Sequence, residues 1–385
     1  MRARRPGSSP PRELVGLSAK DGASIKVIFG RRISAVGPIR SRTRDFLLPG
    51  FIDLQVNGAM GIDVMAASAE DILRIARHLA HEGTTAWLPT VITAPLDKIE
   101  ECDETIAEAI ELQDELAQAA LKGSAEPVGA TILGMHLEGP FISPQRLGAH
   151  PPLALLPEGD ALDRALRLQT LKLITVAPEL PGSLDAIRRL IARGVTVSIG
   201  HTDATYEQAL AGLDAGATMF THLFNAMPPF HHRAPGPIGA ATERHRPVVT
   251  IIPDGDHVHP AAVRLSRNLR LAFVSDRLAC AGTDEPPSTL FGLPCRGAYR
   301  DGRVVRLPDG TLAGSTITML DGAHIMFREL DSDIFALEKA TSANAAEALR
   351  LRDRGKMAPP AHADLILLDR DLNLKAAFIA GQEVK

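Results

Sequence analysis

Cysteine is scarce in this chain, and its copies lie far apart. The 385 residues contain only Cys102, Cys280 and Cys295, an odd number without a CxxC pair that excludes a disulfide scaffold and suits a reducing cytoplasm. No apolar run approaches the roughly 18 residues of a membrane span, and the arginine-rich first residues lack the apolar stretch of a secretory signal. A net charge of −4 gives no reason to expect nucleic-acid binding. We therefore expect a cytoplasmic protein without membrane or nucleic-acid partners.

The two ends of the chain share a sequence pattern that the middle lacks. Short β-type runs such as Ser24–Phe29 follow the Asp21-Gly22 turn signal, and similar runs return at Ala363–Leu368 and Leu374–Val384. Neither end has enough strands for a core of its own. The pattern predicts that residues 1–49 and 355–385 pair into one small β-sandwich-like domain, and that residues 50–354 form the main domain.

Eight short apolar runs alternate with helical stretches through the middle of the chain. They are near-continuous rather than alternating, as expected for strands buried on both faces of a parallel sheet. The predicted strands are Phe51–Val56, Thr84–Pro89, Thr131–Leu137, Lys172–Ala177, Val195–Ile199, Ala217–His222, Val248–Pro253 and Leu271–Ser275. Eight βα units in about 250 residues favour an α/β fold of the (β/α)8 TIM type. A doubly wound open sheet is the alternative, although no glycine-rich dinucleotide fingerprint follows any strand.

Polar and titratable side chains stand where several predicted strands end. Because the carboxyl ends of barrel strands meet at one rim, these side chains are expected to cluster there. Glu138, His201 and His222 follow the third, fifth and sixth strands. One carboxylate and two imidazoles form a ligand set typical of catalytic zinc or iron sites. The sequence therefore predicts one divalent metal.

Other rim residues admit more than one role. Asp276 ends the last strand and is a fourth ligand, an N-cap or, as we favour, a general base. His150 precedes two prolines in the loop after the third strand, and His257 lies on the seventh βα loop. Arg233 lies in a Pro/Gly-rich loop, where it is either a clamp for an anion such as phosphate or an ordinary surface residue.

Several segments, taken in order, resemble one known family. Leu48–Asp53 is similar to the segment that leads into the barrel of amidohydrolase-superfamily enzymes. Six further motifs resemble N-acetylglucosamine-6-phosphate deacetylases; they span Met135–Phe141, Gly200–Thr205, Thr221–Met227, Arg233–Gly236, Asp254–Val258 and Leu312–Ser315. The resemblance extends from about Leu48 to Asp369. It implies metal-dependent hydrolysis of the N-acetyl group of an amino-sugar phosphate, N-acetylglucosamine-6-phosphate, to glucosamine-6-phosphate and acetate.

The resemblance also implies roles for individual residues. Glu138, His201 and His222 would bind one divalent metal per subunit, zinc first and iron or another ion as alternatives. Gln55 would lie over that metal and reach it through a water. A His-x-His motif on the first strand would recruit a second metal in this family, but the motif here is Gln55-Val56-Asn57, so one metal is expected. Asp276 matches the catalytic aspartate, and His150 matches the histidine that polarises the carbonyl. The matches to substrate-binding positions are Ala149, Asn225, Ala226, Arg233, His257, Leu312, Ala313 and Gly314, with Arg233 reaching the neighbouring subunit's site in a homodimer.

The sequence departs from the family pattern in two places. Arg277 and Leu278 follow the aspartate where small residues are usual, and Phe230 precedes an unusual His231-His232 pair. These departures leave the identity of the substrate sugar open. The rivals are an N-acetylgalactosamine-6-phosphate deacetylase, a cyclic amidase and a catalytically silent sugar-phosphate sensor.

Overall fold

The computed structural model describes residues 11–121, 128–243, 245–285, 289–294, 297–330 and 333–384. Cys295 and the arginine-rich first residues lie outside these ranges. None of the helices within them is both long and apolar enough to cross a bilayer.

Strands and helices alternate through most of the described chain. The strands are β1 (Arg12–Ser18), β2 (Ser24–Phe29), β3 (Ile33–Pro38), β4 (Phe46–Pro49), β5 (Phe51–Val56), β6 (Gly58–Ala59), β7 (Ile62–Asp63), β8 (Thr84–Ile92), β9 (Thr131–Ile132), β10 (Met135–Glu138), β11 (Leu171–Val176), β12 (Thr196–Ile199), β13 (Met219–Phe220), β14 (Val248–Ile251), β15 (Arg270–Phe273), β16 (Thr289–Leu290), β17 (Leu293–Pro294), β18 (Tyr299–Asp301), β19 (Val304–Arg306), β20 (Leu312–Ser315), β21 (Leu365–Leu368), β22 (Leu374–Ile379) and β23 (Gln382–Glu383). The α-helices are α1 (Ala69–His81), α2 (Leu96–Leu121), α3 (Gly159–Arg167), α4 (Ser183–Ala192), α5 (Tyr206–Asp214), α6 (Gly236–Ala240), α7 (Pro260–Leu265), α8 (Met319–Leu330), α9 (Ile334–Glu338) and α10 (Asn344–Ala348), with a 3-10 turn at Val64–Ala66 and a π-helical turn at Lys339–Ala343.

The central sheet is a parallel barrel. Its order is β5, β8, β10, β11, β12, β13, β14 and β15, with β9 added beside β8. Residues just past the first and last strands bring the edges together. The Asp276 amide donates to the Gln55 carbonyl at 2.9 Å, and the Asn57 amide donates to the Arg277 carbonyl at 2.9 Å. The predicted (β/α)8 fold is confirmed, and the open-sheet alternative is wrong.

Some predicted boundaries shift for local reasons. The predicted strand Thr131–Leu137 is divided into β9 and β10, because Gly134 adopts φ +125° between them. The helix α1 begins after a capping box in which Ser68 and Asp71 satisfy each other's backbone amides. Its face formed by Ile72, Ile75 and other apolar residues is buried in the core around the barrel.

The chain ends share a second sheet. Its order is β23, β22, β21, β4, β1, β2 and β3, so the C-terminal strands continue directly from the N-terminal ones through β4. Phe29 and Phe378, from opposite ends of the chain, pack edge-to-face with ring centroids 5.4 Å apart. The predicted pairing of the two ends is confirmed, while the domain limits 1–49, 50–354 and 355–385 stay predictions.

A small antiparallel sheet of β18, β19 and β20 lies beside the end of the barrel. The Ser315 amide on β20 donates to the Asp276 carbonyl at 2.9 Å, and the Leu278 amide donates to the Ser315 carbonyl at 3.0 Å. This strand holds the segment that contains Leu312 and Ala313 next to the carboxyl ends of β5 and β15. Leu312–Gly314, predicted above to bind substrate, are part of strand β20.

Candidate active site

A cavity of about 390 Å³ opens at the carboxyl ends of the barrel strands. Most of the residues singled out in the sequence line it, namely Glu138, Ala149, His150, His201, His222, Asn225, Ala226, His257, Asp276, Leu312 and Ala313. Gln55 lies directly behind this lining, whereas Arg233 and Gly314 do not contribute to it. The barrel thus brings together side chains that are up to about 220 residues apart in sequence.

Three side chains converge at the base of the cavity. Glu138 Oε1 lies 2.8 Å from His222 Nε2 and 3.3 Å from His201 Nε2, and the two imidazole nitrogens are 3.2 Å apart. Two nitrogens bound tetrahedrally to zinc at 2.0–2.1 Å stand about 3.3 Å from each other. The donor set and its spacing therefore fit one divalent metal.

The hydrogen-bond partner of His201 favours the tautomer that a metal needs. His201 Nδ1 lies 2.8 Å from the carbonyl oxygen of Arg146, so this nitrogen carries the hydrogen and donates it. The lone pair of Nε2 then faces Glu138 and His222. His222 Nδ1 is buried and has no hydrogen-bond partner among the described residues.

Glu138 is the anionic centre of the cluster. Burial by itself raises the pKa of Glu138, but the neighbouring histidines His150, His201 and His222 hold it well below its ordinary value. The side chain is 4% exposed. An ionised carboxylate is therefore available as a ligand at neutral pH.

His150 extends the cluster on one side. Its Nε2 is 3.5 Å from Glu138 Oε2, and its Nδ1 is 3.0 Å from Thr93 Oγ1. Glu138, His150 and His201 present ligand atoms that all lie within 4.8 Å of one another. Burial, reinforced by the neighbouring His201, lowers the pKa of His150 to about 4. The imidazole is therefore neutral at pH 7, and it can donate a hydrogen bond from one nitrogen.

Asp276 lines the same cavity and is held by two amides. Asn57 Nδ2 and Gln55 Nε2 both donate to Asp276 Oδ1, at 2.8 and 3.1 Å. Gln55 Nε2 also donates to Glu138 Oε1 at 3.1 Å. Burial raises the pKa of Asp276 well above its ordinary value, and the charge of Glu138 adds to the effect. Such a carboxyl group is suited to moving protons.

Backbone strain is concentrated at these residues. His201, His222, Ala226 and Asp276 have φ of 46°, 28°, 51° and 49°, in the left-handed region that non-glycine residues avoid. Each such conformation costs on the order of 1–3 kcal/mol. Strain at four residues that line one cavity is typical of a functional site.

Gly314 acts through its missing side chain. Its φ is +152°, and a Cβ at this position would lie 2.8 Å from the Asp276 carbonyl oxygen. Only glycine lets β20 approach the Asp276 segment so closely.

The sequence reasoning missed several residues of the site, among them Asn57, Thr93 and Arg306. Asn57 holds Asp276, and Thr93 holds His150. Arg306 lines the cavity, where its guanidinium donates to Asp301 Oδ2 at 2.8 Å and to the Gly310 carbonyl at 3.1 Å. Asn57 and Thr93 follow the ends of β5 and β8, a signal that could have found them. Arg306 carries no such signal, because β19 is not a barrel strand.

The predicted anion clamp points elsewhere. Arg233 is exposed, and its Nη1 lies 2.9 Å from His232 Nε2. Within one subunit it does not reach the cavity. His257 does line the cavity, and its Nδ1 bonds to the buried Asp254 carboxylate.

The barrel and its cluster of histidines and carboxylates define a metal-dependent hydrolase architecture. The amidohydrolase family model matches residues 46–384, and the chain belongs to that family.

Three relatives are similar to this chain over most of its length. The N-acetylgalactosamine-6-phosphate deacetylase of Escherichia coli O157:H7 is 35% identical, covering 91% of this chain and 92% of its own. The N-acetylglucosamine-6-phosphate deacetylase of Danio rerio is 37% identical over 88% of this chain and 84% of its own. A Mycobacterium smegmatis N-acetyl-D-glucosamine-6-phosphate deacetylase mutant, solved with N-acetyl-D-glucosamine-6-phosphate, is 31% identical with a TM-score of 0.82 and covers 98% of this chain and all (100%) of its own.

Proposed function

We propose that the protein hydrolyses the N-acetyl group of N-acetylglucosamine-6-phosphate to give glucosamine-6-phosphate and acetate. The observation that carries this proposal is the buried cluster of Glu138, His201 and His222 facing Asp276 in one cavity. Relatives of similar length, one of them solved with this sugar phosphate, support the choice of substrate.

Glu138, His201 and His222 would hold one divalent cation per subunit, with zinc as the expected metal because imidazole and carboxylate ligands suit it. When bound, such a metal supplies Lewis-acid polarisation of the amide carbonyl and lowers the pKa of a water. Gln55 donates to both Glu138 and Asp276 and so holds the two carboxylates in a fixed position relative to each other. Its predicted water-mediated approach to the metal is part of this proposal.

Asp276 and His150 carry the proton transfers and the charge stabilisation. Asp276 takes a proton from the attacking water and returns it to the departing amine, while Asn57 and Gln55 fix one of its oxygens. His150 donates a hydrogen bond from Nε2 to the carbonyl oxygen when Thr93 donates to Nδ1. A donor of this kind contributes about 3–4 kcal/mol to the transition state.

The remaining lining suits a sugar phosphate. Ala149, Asn225, Ala226, His257, Leu312 and Ala313 would contact the sugar. We propose that Gly314, although outside the lining, belongs to the same substrate-binding segment. Arg306 adds a positive charge at the same cavity. We further propose a homodimer in which Arg233 reaches the partner's site. The free, buried thiol of Cys102 supports a cytoplasmic location.

The experiment that tests this function is acetate release by the purified, metal-analysed protein. The substrates are N-acetylglucosamine-6-phosphate, its galacto epimer and unphosphorylated N-acetylglucosamine. We expect rapid release from the gluco phosphate, loss of activity on chelation and recovery with added zinc. Absence of acetate from all three sugars, with metal bound, would overturn the proposal and favour the silent-sensor alternative.

A second candidate substrate is N-acetylgalactosamine-6-phosphate. The relative from Escherichia coli O157:H7, which matches 91% of this chain, favours it. The two sugars differ only in the orientation of one hydroxyl group. A higher kcat/KM for the galacto epimer in the same assay would select this alternative.

A further inference from the structure

A second cavity, of about 430 Å³, lies next to the active site and is mostly apolar. Its walls include Met65, Pro151, Leu290 and Leu307, none of which lines the active-site cavity. The volume falls in the range of small-molecule pockets. The mechanism proposed above assigns no task to this cavity.

Two residues separate the apolar cavity from the active site. Ala149 and Phe291 line both cavities, and the ring of Phe291 lies 6.4 Å from the ring of His150 between centroids. Thr93, which bonds His150 Nδ1, also lines the apolar cavity. The apolar space is therefore directly behind the residue that would face the amide carbonyl.

Phe291 is held firmly in this partition. The amide of Gly292 donates to the buried Asp63 carboxylate at 2.9 Å, and a second oxygen of Asp63 accepts from the Met65 amide at 2.9 Å. Phe291 itself has φ +57°, an unfavourable conformation for an aromatic residue. The surrounding structure therefore holds this strained aromatic side chain in place beside the proposed catalytic histidine.

The chemistry of the walls indicates how the substrate is oriented. Asn225, His257 and Arg306 line only the active-site cavity, and they suit the hydroxyl groups and phosphate of the sugar. Ala149 and Phe291 are apolar and line the same cavity, with the Phe291 ring close to the ring of His150. If the sugar takes the polar residues and His150 donates to the amide carbonyl, the acyl group lies beside this apolar pair.

We propose that Phe291 limits the N-acyl group of the substrate to a short chain, and that the apolar cavity behind it receives a longer acyl chain once this side chain is shortened. The inference rests on the proposed deacetylase function and adds its acyl specificity. The reaction is unchanged: water adds to the amide carbon, the C–N bond breaks, the amine takes a proton and a carboxylic acid is released.

The test compares kcat/KM for the N-acetyl and N-butanoyl amides of glucosamine-6-phosphate. The variants are Phe291→Ala, Leu153→Trp and the double variant. Leu153 is 43% exposed and lines only the apolar cavity, so tryptophan there refills the space without disturbing the core. The acid released, acetate or butanoate, is the readout.

We expect Phe291→Ala to raise the butanoyl-to-acetyl ratio of kcat/KM. Each buried methylene contributes a factor of about four, so the two extra methylenes give about fifteen-fold. Adding Leu153→Trp should return the ratio toward the wild-type value, while Leu153→Trp alone leaves acetate release unchanged. An equal loss on both substrates in Phe291→Ala, or a ratio indifferent to Leu153→Trp, would overturn the inference. Wild-type protein that releases no acetate would instead contradict the proposed function.

Discussion

Asp276 combines a proposed catalytic role of its side chain with a structural role of its backbone. Asn57 and Gln55 both donate to its Oδ1, its backbone has φ 49°, and its carbonyl and amide join β20 and β5 to the barrel seam. Its proposed role as a proton carrier requires only the carboxylate. Its structural role at the seam requires only the backbone, so the two are separable by substitution.

We expect Asp276→Asn to fold, to bind metal as the wild type does and to lose turnover by a factor of about 10² to 10⁴. The amide keeps the shape of the carboxylate but cannot accept and return a proton. Acetate release and metal content per subunit are the measurements. Asp256→Asn, an exposed carboxylate on the neighbouring loop, is the control and should be silent. Normal activity in Asp276→Asn would remove its assigned role.

Among elements, the segment after β15 explains one departure from the family pattern. Arg277 is 1% exposed and pairs with Glu82 at the end of α1, and His78 lies 3.0 Å from the same carboxylate. The charge of Arg277 is therefore neutralised within the protein by Glu82. It fastens α1 to the strand end that carries Asp276.

Removal of this buried pair should destabilise the protein. We expect Arg277→Met to lower the free energy of unfolding by about 3 kcal/mol, because Glu82 is left with an uncompensated charge. Urea denaturation checks this value. The matched control is Arg74→Met on α1, whose exposed pair with Asp71 should contribute no more than about 0.5 kcal/mol. Equal effects of the two substitutions would show that burial adds nothing here.

At the scale of the whole molecule, the position of Arg233 makes a prediction about assembly. It is exposed and away from its own cavity, and we propose that it completes the partner's site. Arg233→Ala and Asp276→Asn should each be poorly active alone. After the two are unfolded and refolded together, about a quarter of wild-type activity should return, because half of the dimers are mixed and each has one intact site. Activity that stays at the sum of the separate variants would contradict a shared site.

Much of the fold and the site could be predicted because the relevant signals are local. Continuous apolar runs indicated the barrel strands, and the residues that follow them, such as Glu138, His201 and Asp276, reach one rim in every barrel of this type. Arg306 and Phe291 could not be found this way. They come from segments whose approach to the site depends on long-range pairing of β18 to β20 and on the Asp63 anchor.

By itself, the sequence determined the class of fold, the family resemblance and the set of polar residues at the strand ends, since each depends on periodicity or on short motifs. Only the tertiary structure decided which of these residues touch. The tautomer of His201, the amide clamp on Asp276 and the wall between the two cavities each join groups distant in the chain. Their geometry arises when the barrel closes and buries them, because a hydrogen bond or a desolvated charge has its effect only at contact distance.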